Sequence, residues 1–118
     1  MTGYRDGRLC VEAVDVAALA AEVGTPFYVY SAAGMRERLA SLFAAFAGQR
    51  LRVFFAAKSN SNLAVIRTLH AAGAGIGVVS AGEIRRALAA GVPGADIVFA
   101  GVAKRDDEIR LALDIGLA

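Results

Sequence analysis

A chain of 118 residues has room for one small domain and no more. Its apolar share of 57% comes largely from alanine, with no run of about 18 apolar residues to cross a membrane, and the polar start from Met1 to Arg8 lacks a signal peptide's apolar stretch. The net charge is +2, with Arg36/Arg38, Arg50/Arg52 and Arg85/Arg86 in separate segments, which argues against nucleic-acid binding, while a lone Cys10 excludes an internal disulfide and suits a reducing cytoplasm.

In chain order, Tyr4 to Leu9 reads as a hairpin turning at Asp6-Gly7, because glycine accepts positive φ. Val16 to Val23 is a predicted helix with Val16, Leu19, Ala20 and Val23 on one face, stopped by Gly24. Phe27 to Tyr30 is a predicted strand by β-propensity. Met35 to Phe46 is a predicted helix with a stripe of Met35, Leu39, Leu42, Phe43 and Phe46.

A regular alternation follows. Predicted strands over Leu51–Ala57, Ile76–Val79 and Asp96–Ala100 are each followed by a predicted helix, over Asn62–Ala72, Ala81–Ala90 and Arg105–Leu113. The strands are short and almost wholly apolar, as when a parallel sheet is covered on both faces. The order and pace are those of a (β/α)8 barrel, which takes about 250 residues. Asp114 to Ala118 reads as a helix end leading towards another strand, so the expectation is a truncated piece of a barrel with open edges.

One residue stands out chemically. Lys58 follows the apolar run Arg52-Val53-Phe54-Phe55-Ala56-Ala57, at the strand end where parallel barrels gather catalytic groups. Burial there would favour the neutral amine, the form that attacks an aldehyde. On position alone, an exposed lysine at a loop start is the commoner case.

The flanking residues change that balance. Phe55-Ala56-Ala57-Lys58-Ser59-Asn60-Ser61-Asn62, followed by Val65, Ile66 and Leu69 at helical spacing and then Gly73, resembles the cofactor-lysine segment of the fold-type III pyridoxal-phosphate (PLP) decarboxylases. The Asn-Ser-Asn ending is most similar to the diaminopimelate decarboxylase branch. Gly24-Thr25-Pro26-Phe27-Tyr28-Val29-Tyr30, Val78-Val79-Ser80-Ala81-Gly82-Glu83 and Ile97-Val98-Phe99-Ala100-Gly101-Val102-Ala103-Lys104 are similar to further segments of that family, in the right order.

The resemblance implies an α/β fold: a partial PLP-binding (β/α)8, TIM-like barrel over residues 32–118, behind an extension of hairpin, short helix and strand over residues 1–31. It implies decarboxylation of meso-2,6-diaminopimelate to L-lysine and CO2, a small amino-acid substrate, and a homodimer of the full-length enzyme. Lys58 would hold PLP as a Schiff base, with Glu83 close by and Ser80 a weaker candidate. Other fold-type III proteins remain open: an ornithine- or arginine-type decarboxylase, a racemase or a PLP carrier. So does an inactive fragment or interaction module. No metal ligand set is expected.

Several residues carry simpler readings. Ser80 and Glu83 form a Ser-x-x-Glu capping pattern. Gly77 departs from the family, many members of which carry Asp there. Gly73-Ala74-Gly75-Ile76-Gly77 precedes a strand, so it is a helix stop rather than a phosphate loop. Asn60 is expected to cap the helix starting near Asn62, His70 to lie at the surface, and Lys104 to be a turn residue before Asp106-Asp107-Glu108.

Overall fold

Two kinds of sheet, one antiparallel and one parallel, organise the computed structural model, which describes residues 2–117. The first is a meander of β1 (Thr2–Arg5), β2 (Arg8–Val11) and β3 (Val14–Asp15). Asp6 and Gly7 both take positive φ, +49° and +76°, which is the backbone a two-residue hairpin turn requires. The two-residue β3 was not foreseen; Glu12, at φ +57°, turns the chain back to make it.

Helix α1 (Val16–Val23) starts where expected, with Asp15 Oδ1 accepting from Ala17 N and Ala18 N at 2.8 and 3.2 Å. Those bonds hold the Asp15 carboxyl below its ordinary range. The predicted apolar face of α1 is only partly covered, and Val23 is exposed. The predicted strand at Phe27–Tyr30 is not one. These residues run without a ladder, and Tyr28 is 87% exposed. β-propensity describes a fit to a sheet, and no strand among the described residues lies alongside to receive this segment.

Helix α2 (Ala32–Ala45) begins slightly before the predicted span. Ser31 Oγ caps it by accepting from Gly34 N, 2.9 Å, and Glu12 Oε1 accepts from Ala33 N and Ser31 Oγ at 2.7 and 2.8 Å. The bond from Ala33, then that from Ser31, keeps the Glu12 carboxyl below its usual value.

The parallel sheet contains β4 (Phe54–Ala56), β5 (Gly75–Val78) and β6 (Ile97–Phe99), in that order. Helices α3 (Leu63–Ala71), α4 (Ala81–Ala89) and α5 (Asp106–Asp114) alternate with them. The ladders are shorter than the apolar runs suggested. Leu51 to Val53 lie outside β4, although Val53 O still accepts from Gly75 N at 2.9 Å, and Asp96 belongs to a 3-10 turn. Apolar character reports burial, whereas a ladder also needs a neighbour in register.

One face of this sheet is packed. Ile76, Val78 and Ile97 meet Ile66 of α3 and Ile84 and Ala87 of α4, all at 0% exposure. Each such isoleucine contributes about 1.5–3 kcal/mol by leaving water. A second cluster joins Met35, Leu39 and Phe43 of α2 to Val65 and Leu69 of α3, while Leu42 and Phe46 of the predicted stripe stay exposed. By the alternation of a strand, Phe54, Ala56, Gly75, Gly77 and Val98 turn to the opposite face. No helix among the described residues covers it. The described architecture is therefore mixed α/β, with β4 and β6 as the sheet's two edges.

Candidate functional site

Lys58 sits where β4 gives out. The strand ends at Ala56 and the chain tightens into a 3-10 turn over Ala57–Ser59. Ala57 is fully buried in the core cluster, and Lys58, next in the chain, is exposed. It makes no side-chain hydrogen bond or ion pair with the described residues. The expected burial of this lysine is thus not supplied by the described residues.

The turn itself is well tied. Ser59 Oγ donates to Ala56 O at 2.7 Å, and Asn60 N donates to Ala57 O at 3.1 Å. The cap of α3 is Asn62, whose Oδ1 accepts from Ala64 N at 2.8 Å. Asn60, expected in that role, instead accepts from Asn62 N at 3.0 Å, one step earlier. The two asparagines therefore share the work of ending the lysine turn and starting the helix. Arg86 of α4 donates to Ser61 O at 2.9 Å. That bond was invisible in the sequence, because its acceptor is a backbone carbonyl.

At the end of β5, Ser80 caps α4 as the Ser-x-x-Glu pattern foretold, accepting from Glu83 N at 3.3 Å. Glu83 Oε2 reaches back to Val79 N, 2.8 Å, one residue before the cap. Glu108, on α5, accepts from Ala81 N at 2.8 Å and from Arg105 N at 3.1 Å. The Ala81 bond, followed by that from Arg105, holds the Glu108 carboxyl below its ordinary value. Its acidic position beside Asp106 and Asp107 suggested capping of its own helix only; the bridge to α4 spans 27 positions.

These contacts decide what this end of the sheet can hold. An exposed amine on a short turn is suited to the aldehyde of a pyridoxal group. The phosphate of such a group is not served here. At the start of α4, Ala81 N and Glu83 N are already engaged by Glu108 and Ser80, Val79 N just before it is engaged by Glu83, and the carboxylates of Glu83 and Glu108 repel an anion. The residues present thus fit the aldehyde end of PLP and not its phosphate end.

Gly77 lies on the open face opposite Ala56 in register. A Cβ there would meet Phe55 O, Ala56 Cα and Val98 Cγ1 at 3.7–3.9 Å, ordinary contacts, so the position has room for a side chain. Gly75, by contrast, has none, since a Cβ would come within 2.5 Å of the Phe54 ring. Lys104 is the turn residue expected: Nζ donates to Gly101 O at 2.6 Å and lies 5.1 Å from the centre of the Phe99 ring.

His70 is not simply at the surface. It is half-buried, with Nε2 3.2 Å from Asp96 Oδ2, at the end of the sheet where the strands begin. Helix α3 carries it away from Lys58. An apolar cleft of about 710 Å³ lies between α2 and β4, lined by Met35, Leu39, Phe54, Ala56 and Val65 and reaching Ser59 and Asn60. No cluster of metal-ligating side chains occurs among the described residues, and no described helix is long and apolar enough to cross a membrane.

Comparison with known proteins points one way. Residues 32–118 match the family described as pyridoxal-dependent decarboxylase, pyridoxal binding domain. The chain is 45% identical over 114 residues to diaminopimelate decarboxylase of Pseudomonas aeruginosa, covering 97% of this chain and 28% of that protein. It is likewise 45% identical over 113 residues to that of Methanothermobacter thermautotrophicus, covering 94% and 26%. Among solved structures, diaminopimelate decarboxylase from M. jannaschii in complex with L-lysine superposes with a TM-score of 0.91 at 33% identity, over 99% of this chain and 28% of that one. Lysine/ornithine decarboxylase of Vibrio vulnificus with putrescine gives 0.80 at 27% identity, over 86% and 28%.

Proposed function

The chain belongs to the pyridoxal-dependent decarboxylases, through their pyridoxal-binding domain, and from that membership we propose that it carries the cofactor lysine, Lys58, of an enzyme converting meso-2,6-diaminopimelate to L-lysine and CO2. The observation that carries the proposal is the exposed Lys58 on the turn that ends β4. The chain spans only 28% of the length of the P. aeruginosa relative, so the activity is assigned to the longer protein. On structural superposition the identity is 33% to the M. jannaschii diaminopimelate decarboxylase against 27% to the lysine/ornithine enzyme, which favours the first substrate.

The proposed barrel follows from the same reading. Residues 32–118 would be its first βα units, behind an extension over residues 1–31, and the start of the family match at residue 32 supports that division. Strands β4 and β6 would each gain a neighbour from sequence beyond this chain, and the open face would become the barrel interior. A homodimer is proposed for the full-length form.

When bound, PLP supplies an electron sink for the pair left on the substrate carbon as CO2 departs. Lys58 would hold it by condensing its neutral amine with the aldehyde. Ser59 and Asn60 would shape the turn that carries the amine through their local bonds. Ser80 and Glu83, the weaker site candidates, would shape the neighbouring rim by anchoring the start of α4. The phosphate would be held by residues beyond these, since this rim is acidic.

The test exploits composition. Lys58 and Lys104 are the only two lysines. The chain is mixed with PLP, reduced with borohydride and mapped by peptide mass. The expected result is an adduct at Lys58 well above that at Lys104. Labelling confined to Lys104 or the terminal amine would refute the assignment. Product analysis of the full-length enzyme with diaminopimelate, ornithine and arginine then settles the substrate.

A further inference from the structure

The segment that carries Lys58 is held by two kinds of bond. Most are local: Ser59 Oγ to Ala56 O, Asn60 N to Ala57 O, and Asn62 N to Asn60 Oδ1. Local bonds shape a turn without fixing its direction relative to the rest of the fold. Among the described residues, the one side-chain hydrogen bond to it from a distant element is Arg86 Nη1 to Ser61 O, 2.9 Å and 25 positions apart. Its donor stands on α4, whose Ile84 and Ala87 are fully buried on either side of it in sequence, so the guanidinium projects from a rigid support. α4 is in turn pinned at its start by Glu108 from α5.

We propose that Arg86 is a positioning residue for Lys58: it clamps the carbonyl of Ser61 and so fixes the direction in which the lysine turn presents its amine to an aldehyde cofactor. This rests on the assignment of Lys58 above. The physical reason is entropic. A reactive group held in one orientation forfeits less freedom when it reacts. Arg86 itself is exposed, so the clamp adds little to global stability. Its effect falls on the loop.

Charge and clamp can be separated. Arg85 adjoins Arg86 on the same helix, carries the same charge, is also exposed and makes no bond to the lysine segment among the described residues. The measurement is the ratio of borohydride-trapped PLP on Lys58 to that on Lys104, in the wild-type chain, Arg86→Ala, Arg86→Lys and Arg85→Ala. In the trapping reaction the amine adds to the aldehyde, water leaves, and borohydride delivers hydride to the C=N carbon. With Arg86→Ala the ratio is expected to fall about threefold to tenfold, the range for losing one ordinary, solvent-exposed hydrogen bond. Arg86→Lys should recover part of it, and Arg85→Ala should match wild type.

Amide exchange adds a readout independent of the cofactor. In Arg86→Ala it should quicken at residues 58–62 and stay unchanged at Ile76 and Ile84. An unchanged ratio in Arg86→Ala, or an equal fall in Arg85→Ala, overturns the positioning role while leaving the Lys58 assignment standing. A wild-type chain with no preference for Lys58 overturns the assignment first, and the role with it. Should Arg86→Ala fail to fold by circular dichroism, Arg86→Lys decides, since it keeps the charge and shortens the reach.

Discussion

The two ends of the parallel sheet carry similar side chains and use them differently. Where the strands begin, Asp96 takes Arg52 at 3.1 Å and His70 at 3.2 Å, and Arg52 also donates to Ala95 O and lies 4.9 Å from the centre of the Phe54 ring. Every charge in that cluster has a partner. Where the strands end, the carboxylates of Glu83 and Glu108 are spent on backbone N–H groups, and Lys58 is left over. Charge cancelled within the chain stabilises; charge left unpaired at a strand end is available for chemistry. That division matches the general behaviour of βα barrels, in which one end serves stability and the other catalysis.

The sharpest test removes the leftover charge. Lys58→Ala should abolish PLP trapping at that position, leaving only Lys104 and the terminal amine. Because the side chain is exposed and unpaired, stability in urea should shift by less than about 0.5 kcal/mol. A larger shift would mean that Lys58 is structural and that the two ends do not differ in kind.

Ser80→Ala should cost about 1 kcal/mol, the usual value of an N-cap, read from the urea midpoint. Trapping at Lys58 should change less than about twofold if Ser80 acts only through the helix start. A tenfold loss with intact stability would show that Ser80 meets the cofactor. At the other end, Asp96→Ala should cost roughly 0.5–1 kcal/mol, since both of its pairings are partly exposed. It should leave trapping at Lys58 untouched, and a fall there would merge the two ends into one unit.

The smallest effect is expected from Glu108→Gln, and it is one of pH. The Glu108 carboxyl is held below its ordinary value near 4.5 by the bond from Ala81 and then that from Arg105. Its folded value being depressed, the stabilisation is present above the unfolded value and is lost as pH falls through the folded one. Acid unfolding of the wild-type chain should therefore steepen below about 4.5, and Glu108→Gln should flatten that part of the curve. Identical acid curves would show that the carboxylate bridge between α4 and α5 does not form in solution.

What could be read in advance was local. The Asp6-Gly7 turn, the Ser80 cap and the helix stop at Gly73 depend on residues within a few positions of each other, and each appears as expected. Lys58 was legible because an apolar run and a resemblance framed it. The misreadings share the opposite property. Phe27–Tyr30 has strand-forming side chains without a strand to pair with among the described residues, and His70 looked solitary because Asp96 lies 26 positions away. The exchange of roles between Asn60 and Asn62 turned on a single residue of register, below what propensity resolves.

By itself, then, the sequence determined the alternation of strands and helices, the turns, and the lysine at the end of the first parallel strand. Hydrophobic periodicity and backbone sterics act over a few residues, and they are written in consecutive letters. Tertiary structure alone decided that Lys58 stands exposed on the turn after β4, that Arg86 reaches Ser61, and that Glu108 anchors a neighbouring helix. Backbone carbonyls and N–H groups are the same at every position, so a bond to one of them leaves no mark in the sequence until the chain is folded.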